Sequence, residues 1–239
     1  RMETKLSELV GRLKSTAGEN LKAVVLYGSA ATDEFQGKHS DLNILCLVER
    51  TTVADLEHLH GVAEWWMKEN NPAPVIFTHD ELMRSADVFA IELLDMKHRH
   101  RMLFGDDFLE KMEVPLRLHR LQVERELRTN WMRLRQAIVA APPKKKVRLD
   151  TMLASVATFC VLFRHALIGM GQAEPHTKRE AVGGMAVLTG ADASGFNNIL
   201  EFRAGRLKER EIDIEATLQA YMEFVEVATN EVDRRFETS

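Results

Sequence analysis

The sequence predicts an α+β fold, in which a mixed β-sheet with flanking helices is followed by an α-helical bundle. Apolar segments of strand length alternate with amphipathic helical segments in the first half of the chain. Long helical segments joined by short loops fill the second half. With 45% hydrophobic and 28% charged residues among 239, the composition is that of a soluble protein with a substantial core.

Helices and strands alternate up to residue 77. Residues 3–18 carry leucine and valine at helical spacing and predict a first helix. Apolar strands are predicted at residues 22–28 and 42–48, and the helical period returns from Thr52 to Lys68. Val75-Ile76-Phe77 then predicts a short third strand. A helix placed between strands is typical of an α/β unit.

The next segment begins with a helix signal. Thr78 and Glu81 match a capping box, in which the threonine is the N-cap and the glutamate occupies the third helical position. Val88 to Gly105 fits two predictions, which are a continued helix or a strand from Phe89 to Met96 followed by a strand from Arg101 to Phe104. Periodicity alone does not choose between them.

Four to five helices are predicted in the second half, which suggests an up-and-down bundle. After two prolines, the basic run from Lys144 to Arg148 predicts an exposed linker. We place the domains at residues 1–112, the α/β domain, and 113–239, the bundle. The amphipathic helices at 116–141 and 212–236 offer surface for a homodimer. The predicted helices are Leu116 to Ala141, Leu149 to Met170, Thr177 to Gly190, Gly195 to Ala204 and Ile212 to Phe236.

The charge and the cysteines narrow the class of protein. A net charge of −4 argues against a nucleic-acid polymer as the main partner, because proteins that bind one usually carry a basic surface. Cys46 and Cys160 lie in apolar runs and are expected to be buried free thiols in a reducing compartment. No signal peptide is evident, and no apolar run approaches about 20 residues, the length that spans a bilayer. We therefore expect a cytoplasmic protein without a membrane partner.

The most informative stretch joins the first two predicted strands. The first strand ends in Leu26-Tyr27-Gly28-Ser29, and the second opens, after eleven more residues, with Asp41-Leu42-Asn43. On a strand, residues two positions apart project to the same face. Asp41 and Asn43 are therefore expected to point together at whatever Gly28 and Ser29 hold.

This stretch resembles the signature of the DNA polymerase beta-like nucleotidyltransferase superfamily, which is Gly-Ser, a gap of similar length, and Asp-x-Asp or Asp-x-Glu. Leu103-Phe104-Gly105-Asp106 resembles the element that closes this domain in many members. The helical second half is similar to the bundle of bacterial antibiotic nucleotidyltransferases such as the kanamycin enzyme. The motif match covers residues 20–106 and departs at Asn43, which stands where the family has its second carboxylate. The resemblance implies a nucleotidyltransferase-type sheet and favours the strand prediction for Phe89 to Met96.

The resemblance also implies which residues bind the nucleotide. Gly28 and Ser29 correspond to the phosphate contacts, because a glycine without a Cβ lets phosphates approach the backbone. Lys38 and Ser40, in the loop between the strands, are further candidates for contact with the nucleotide. The implied substrate is a nucleoside triphosphate, and the acceptor is an unidentified hydroxyl on a small molecule or a protein.

Metal ligands and a catalytic acid follow from the same resemblance. Asp41 corresponds to the first ligand of Mg²⁺ or Mn²⁺, and Asn43 would assist through its amide oxygen, which brings no charge. Glu92 interrupts an apolar run and is the best candidate for the third acid, as a ligand or a base, with Asp95 in reserve. The basic run from Lys97 to Arg101 is either a phosphate clamp or a solvated surface.

Two functions stay open. An active enzyme would transfer a nucleoside monophosphate from the triphosphate to a hydroxyl, with Mg²⁺, and release pyrophosphate. A degenerate member would bind a nucleotide, or only a partner protein, with weak or no turnover. Asn43 and the lack of a carboxylate in Val75-Ile76-Phe77 motivate this second hypothesis.

Overall fold

The computed structural model describes residues 2–31 and 41–237. The chain divides into two units, residues 1–115 and residues 116–239. The first unit contains the β-sheet, and the second is helical.

The first unit follows the predicted order of elements as far as the third strand. The helix predicted from Thr52 to Lys68 is present as two helices that meet at Leu59. The capping box is confirmed, because Thr78 Oγ1 accepts the Glu81 N–H and the Glu81 carboxylate accepts the Thr78 N–H. The elements are α1 (Met2–Ala17), β1 (Leu21–Tyr27), β2 (Asn43–Val48), α2 (Val53–His58), α3 (His60–Met67), β3 (Val75–Thr78), α4 (His79–Arg84), α5 (Ala90–His98) and β4 (His100–Phe104).

The described residues contain four strands, which form one sheet in the order β3-β2-β1-β4. β1 is antiparallel to both β2 and β4, whereas β2 and β3 are parallel. The predicted α+β fold with a mixed sheet is therefore confirmed. β1 and β2 are the two central strands, and the end of β1 at Tyr27 is paired with the start of β2 at Asn43.

Hydrophobic side chains cover both faces of this sheet. Val24 and Leu26 of β1 belong to the cluster that includes the buried leucines of α1. Ala23 and Val25 belong to a second cluster, which includes residues of α4 and α5. Successive residues of a strand point to opposite faces, so β1 contributes to both clusters in turn. The helices on the two sides thereby fix the strand ends that carry the motif.

Residues 90–98 form the helix α5, so the strand predicted from Phe89 to Met96 is wrong. α5 buries Leu93 and Met96 against the sheet face that carries Val25. A short apolar run fits a helix or a strand, and its periodicity does not separate the two. In the structure, α5 covers this face of the sheet. The position beside β1 is occupied by β4, which is the next segment of the chain. The strand predicted from Arg101 to Phe104 is confirmed as β4.

The second unit consists of helices, as predicted. The run from Lys144 to Arg148 is not a linker, because a helix begins at Lys145 and includes most of it. Lysine and arginine have favourable helix propensity, so this exposed run continues the apolar helix that follows it. The helices are α6 (Leu116–Ala140), α7 (Lys145–Gly169), α8 (Lys178–Thr189), α9 (Ser194–Arg203) and α10 (Ile214–Glu237).

α7 packs against the other four helices of this unit. Phe163 of α7 contacts Phe196 of α9 and Phe224 of α10 through edge-to-face rings. Contrary to the sequence expectation, α7 is long and apolar enough to cross a membrane by length and composition. However, 61% of its most apolar stretch is buried inside the protein, as in the core helix of a soluble protein.

The cysteines are buried and unbridged, as predicted. Burial raises the pKa of both thiols, Cys46 and Cys160, to about 12. Neither thiol is therefore ionised near neutral pH, and both pack as small apolar side chains.

Candidate functional site

The turn after β1 is built on Gly28. Its φ of +83° lies in the left-handed region that side chains other than glycine rarely adopt. The Gly28 N–H donates to the Arg99 carbonyl at 2.9 Å, and the Gly28 carbonyl accepts the Ala31 N–H at 3.0 Å. Ser29 follows as the exposed first residue of a 3-10 turn. Both backbone polar groups of Gly28 are therefore engaged within the protein.

Asn43 lies against this turn. It is the first residue of β2 and is directly paired with Tyr27, the last residue of β1. Its side-chain amide nitrogen lies 3.3 Å from the position that a Cβ on Gly28 would occupy. The structure therefore brings together Gly28 and Asn43, which are separated by fourteen residues in the sequence.

Asp41 is exposed and lies just before β2. Leu42, between Asp41 and Asn43, is buried in the same cluster as Ile44. The Leu42 N–H donates to Asn71 Oδ1 at 3.4 Å, which fixes this end of the strand. Asn43 therefore lies on the side of β2 opposite to Ile44, and the alternation of side chains predicts that Asp41 lies on the same side as Asn43. This is the common face on which the predicted site depends.

A row of polar side chains crosses the sheet at this end. Tyr27 pairs with Asn43 on one side and with His100 on the other, so the three side chains lie on one face. Burial raises the pKa of the Tyr27 hydroxyl, which keeps it protonated. His100 Nδ1 lies 2.9 Å from the Lys97 carbonyl, and Nε2 lies 2.8 Å from Asp107 Oδ2. The ring is therefore held between the Lys97 carbonyl and the Asp107 carboxylate.

Asp107 joins this row to the turn that follows β4. Its Oδ1 accepts the N–H groups of Leu109 at 3.1 Å and Glu110 at 3.0 Å. Burial raises the pKa of Asp107, but the hydrogen bond and charge of His100 and the two backbone donors outweigh it. The net effect holds the pKa of Asp107 below its usual value. The ionised carboxylate therefore fixes both the imidazole and the turn.

Glu92 lies away from the Gly28 turn. It is exposed in the first turn of α5, and the contact with Gly28 is made seven residues later by Arg99. Seven residues of helix rise by about 10 Å. Asp95 is half-buried and lies one turn before Arg99, whose N–H donates to the Asp95 carbonyl at 2.8 Å. A role as third acid stays a prediction for both carboxylates.

The predicted metal site rests on Asp41 and Asn43. Among residues 2–31 and 41–237, no group of three or more His, Cys, Asp or Glu side chains is arranged to hold a metal ion. One carboxylate and one amide oxygen fit a single Mg²⁺ that completes its shell with water and phosphate oxygens. Within the described ranges they do not fit a pair of ions held by protein carboxylates. Lys38 and Ser40 lie outside the described residues, so their contacts stay predictions.

Sequence reasoning missed two contacts of this site. The basic run from Lys97 to Arg101 is visible in the sequence. However, the register of β1 against β4 decides which of its residues meets Gly28, and that residue is Arg99. Asp107 lies one residue beyond Leu103-Phe104-Gly105-Asp106, the element that the resemblance covers. The available signal was an aspartate two residues after Gly105, at a place where turns commonly need a side-chain acceptor.

Comparison with known proteins supports the fold. No protein-family model matches the sequence, and no curated protein matches it. The chain is similar in structure to spectinomycin adenyltransferase AAD(9) from Enterococcus faecialis, solved with ATP and spectinomycin, with a TM-score of 0.54 and 15% sequence identity. The similarity covers 92% of this chain and 98% of the adenyltransferase chain. At this identity the similarity shows the fold, a mixed sheet with flanking helices and a helical C-terminal region.

Proposed function

Because the chain has the fold of a nucleotidyltransferase along nearly its whole length, we propose that it transfers a nucleoside monophosphate from a triphosphate to a hydroxyl group. The observation that carries the proposal is the close approach of the Asn43 side chain to Gly28 at the paired ends of β1 and β2. The similar structure was solved with ATP and spectinomycin. ATP is therefore the proposed donor, and a small molecule is favoured over a protein as the acceptor.

The Gly28 turn would contact the phosphates through its open Cα rather than through its N–H. That N–H already donates to the Arg99 carbonyl. The absent Cβ leaves room for close approach, and the exposed Ser29 would offer its hydroxyl. Lys38 and Ser40, in the loop that follows, are proposed as further nucleotide contacts.

Asp41 and Asn43 would hold one Mg²⁺, or Mn²⁺, together with the nucleotide. When bound, such an ion neutralises charge on the phosphoryl group that is transferred. The acceptor hydroxyl oxygen forms the new bond to the α-phosphorus as the bond to the pyrophosphate oxygen breaks. Glu92, or Asp95 in its place, is proposed to take the hydroxyl proton.

A degenerate, nucleotide-binding protein is the second candidate function. Asn43 brings no charge to the site, and an amide nitrogen, rather than a carboxylate oxygen, lies 3.3 Å from the position that a Cβ on Gly28 would occupy. β3 contains no carboxylate that could serve as the third acid. Loss of a metal-holding carboxylate lowers the rate of this class of reaction on the order of 100-fold or more. In this case the protein would bind a nucleotide, or a partner protein, with little turnover.

A transfer assay separates the two candidates. The protein is incubated with each of the four labelled nucleoside triphosphates, with Mg²⁺ or Mn²⁺, and with a panel of hydroxylated small molecules that begins with spectinomycin. We expect pyrophosphate release and a labelled product with ATP. Asp41→Asn is the matched control, because it removes the charge at nearly constant shape.

Asn43→Asp completes this experiment. If the wild-type protein binds ATP but shows no turnover, and Asn43→Asp turns over ATP, the degenerate function holds. If the wild-type protein binds no triphosphate in the presence of either ion, both candidate functions that involve a nucleotide are wrong.

The proposed setting is the reducing cytoplasm, since both cysteines are buried without a disulfide. A homodimer through the amphipathic surfaces of α6 and α10 stays a prediction. Light scattering of the purified protein over a range of concentrations tests it.

A further inference from the structure

Each end of β2 is held by an asparagine from a neighbouring segment of the chain. Beyond the last residue of the strand, Asn20 Oδ1 accepts the Arg50 N–H at 2.9 Å, and Asn20 Nδ2 donates to the Arg50 carbonyl at 3.1 Å. Before the first residue, Asn71 Oδ1 accepts the Leu42 N–H at 3.4 Å, and Asn71 Nδ2 donates to the Trp66 carbonyl at 3.5 Å. The strand is therefore tied at both ends, and the Asn71 contact lies within the motif.

The motif residue Asp41 lies outside the strand ladder. In the described part of the chain, the pairing of β2 with β1 ends at Asn43, which pairs with Tyr27. Leu42 lies one residue beyond that pair and is held by the burial of its side chain and by the bond to Asn71. Asp41 precedes Leu42 and is exposed. The direction of the Asp41 carboxylate therefore depends on how firmly the Leu42 backbone is fixed.

Asn71 is itself in a well-defined position. Asn70 turns the chain after α3 with a φ of +62°, and Pro72 restricts the backbone of Asn71 to an extended conformation. Trp66, near the end of α3, is buried in the same cluster as Leu42. The amide uses its oxygen for Leu42 and its nitrogen for Trp66. The Asn71 side chain therefore links the motif to the end of α3.

We propose that Asn71 is a positioning residue, which orients the Asp41 carboxylate for the metal ion through the backbone of Leu42. This inference rests on the proposed function, in which Asp41 and Asn43 hold one ion together with the nucleotide. A ligand that is already ordered binds an ion more tightly, because the ordering of its backbone is not a cost of binding. Without the Asn71 side chain, the binding of the ion would also have to order residues 41 and 42.

The alternative role for Asn71 is purely structural. Its two hydrogen bonds are long, and in that role their loss would lower the free energy of unfolding and leave the affinity for the ion and nucleotide unchanged. Asn20 provides the matched control, because it makes the same kind of amide contact at the other end of β2, with Arg50. Binding and stability therefore have to be measured on the same variants.

Isothermal titration calorimetry of the full chain with α,β-methylene-ATP and Mg²⁺ tests the proposal. The variants are Asn71→Ala, Asn71→Asp and Asn20→Ala. We expect Asn71→Ala to weaken binding about tenfold, because binding must then order the backbone, and Asn20→Ala to change it less than about twofold. Asn71→Asp keeps an acceptor for the Leu42 N–H, so we expect its affinity to lie between those of wild type and Asn71→Ala.

A double-mutant cycle identifies the residue through which Asn71 acts. Asn71→Ala is combined with Asp41→Ala, which removes the carboxylate that Asn71 is proposed to orient. In this background we expect Asn71→Ala to weaken binding less than about twofold. An effect of Asn71 that does not pass through Asp41 would have the same size in both backgrounds.

The outcomes separate this inference from the function on which it rests. An Asn71→Ala variant that binds as tightly as wild type, or that loses the same factor with and without the Asp41 carboxylate, overturns the inference and leaves the proposed function in place. A wild-type protein that binds the analogue with neither Mg²⁺ nor Mn²⁺ overturns both. Urea unfolding of the same variants identifies a purely structural role, in which Asn71→Ala and Asn20→Ala both lose stability and neither loses affinity.

Discussion

Gly28 and Gly105 lie at opposite ends of β1 and have nearly the same backbone conformation, but their surroundings differ. Their φ angles are +83° and +84°. A Cβ on Gly105 would lie 2.3 Å from the Lys22 carbonyl oxygen and 2.9 Å from Ala23 Cα, both of which are backbone atoms. Among residues 2–31 and 41–237, a Cβ on Gly28 would meet the end of the Asn43 side chain, at 3.3 Å.

The difference shows how to separate a glycine needed for packing from one that belongs to a site. At Gly105 the neighbouring backbone leaves no room for any side chain, so the fold itself explains the glycine. At Gly28 the close neighbour that the described part of the chain provides is a side chain that can move, so steric packing explains less of the need for a glycine. Under the proposed function, Gly28 is where the phosphates of a bound nucleotide would approach the backbone.

The largest effect on stability is expected for Gly105→Ala. The new Cβ would overlap backbone atoms of β1, and the added strain of a positive φ brings the cost to about 3 kcal/mol or more of the free energy of unfolding. Urea unfolding followed by circular dichroism measures it.

Gly18→Ala is the matched control for this variant. Gly18 also has a positive φ, +54°, but a Cβ there has no heavy atom within 4 Å. We expect a loss of only about 1 kcal/mol, from backbone strain. Equal losses for Gly105→Ala and Gly18→Ala would show that the overlap with β1 is relieved by a small movement.

Asp41→Asn is expected to have the opposite signature, with a large effect on activity and little on stability. The carboxylate is exposed, so its loss should change the free energy of unfolding by less than about 0.5 kcal/mol. Removal of the metal-holding charge is expected to lower the transfer rate on the order of 100-fold. Rates at saturating ATP and Mg²⁺ measure this, and an unchanged rate would remove Asp41 from the site.

Gly28→Ala should affect both properties, each moderately. Backbone strain at a positive φ costs about 1–2 kcal/mol, and the Asn43 side chain needs to shift only slightly. We expect a smaller loss of stability than for Gly105→Ala, together with weaker binding of α,β-methylene-ATP. If this variant is as unstable as Gly105→Ala but binds the analogue normally, the contrast between the two ends of β1 is wrong.

The smallest effect is expected for Asp107→Asn, and it depends on pH. Because the pKa of Asp107 is lowered in the folded protein, its stabilisation is complete above the unfolded value of about 4 and is lost as the pH falls through the folded value. The side chain is 35% exposed, so we expect a loss of only about 1 kcal/mol at pH 7. Unfolding measured between pH 7 and pH 3 should show the two proteins converging at low pH.

Asp106→Asn is the control for this pH effect. Asp106 is exposed and is the immediate neighbour of Asp107, so its substitution alters the net charge without removing the His100 contact. A difference between wild type and Asp107→Asn that persists unchanged at pH 3 would contradict an ionic origin.

The sequence predicted the elements that local chemistry decides. Thr78 and Glu81 form their capping box because both partners lie within one helical turn. The strand ends at Gly28 and Asn43 were predicted from the turn residues and the alternating pattern that flank them. The strand prediction for residues 89 to 96 was wrong for the opposite reason. The side chains of this segment suit either structure, and the choice depends on which surface of the sheet was still uncovered.

The site divides in the same way. Asp41 and Asn43 are predicted from a local pattern of strand and turn, which is visible in the spacing of neighbouring residues. The contact of Arg99 with Gly28 depends on the register between β1 and β4, which are separated by more than 70 residues in the chain. That register cannot be predicted from the residues near Arg99 in the sequence. Glu92 was selected because a charge interrupted an apolar run, but on a helix that position is simply the exposed side.

The packing of α7 has a consequence for how the protein is made. α10, one of the four helices that pack against α7, is the last helix of the described chain, so α7 leaves the ribosome before this part of its packing partner set has been translated. Without α10, part of the apolar surface of α7 is exposed and can associate with other chains. A premature stop codon before Ile214 should therefore yield an aggregated product, even though the whole first unit and its strand-end motif would be intact.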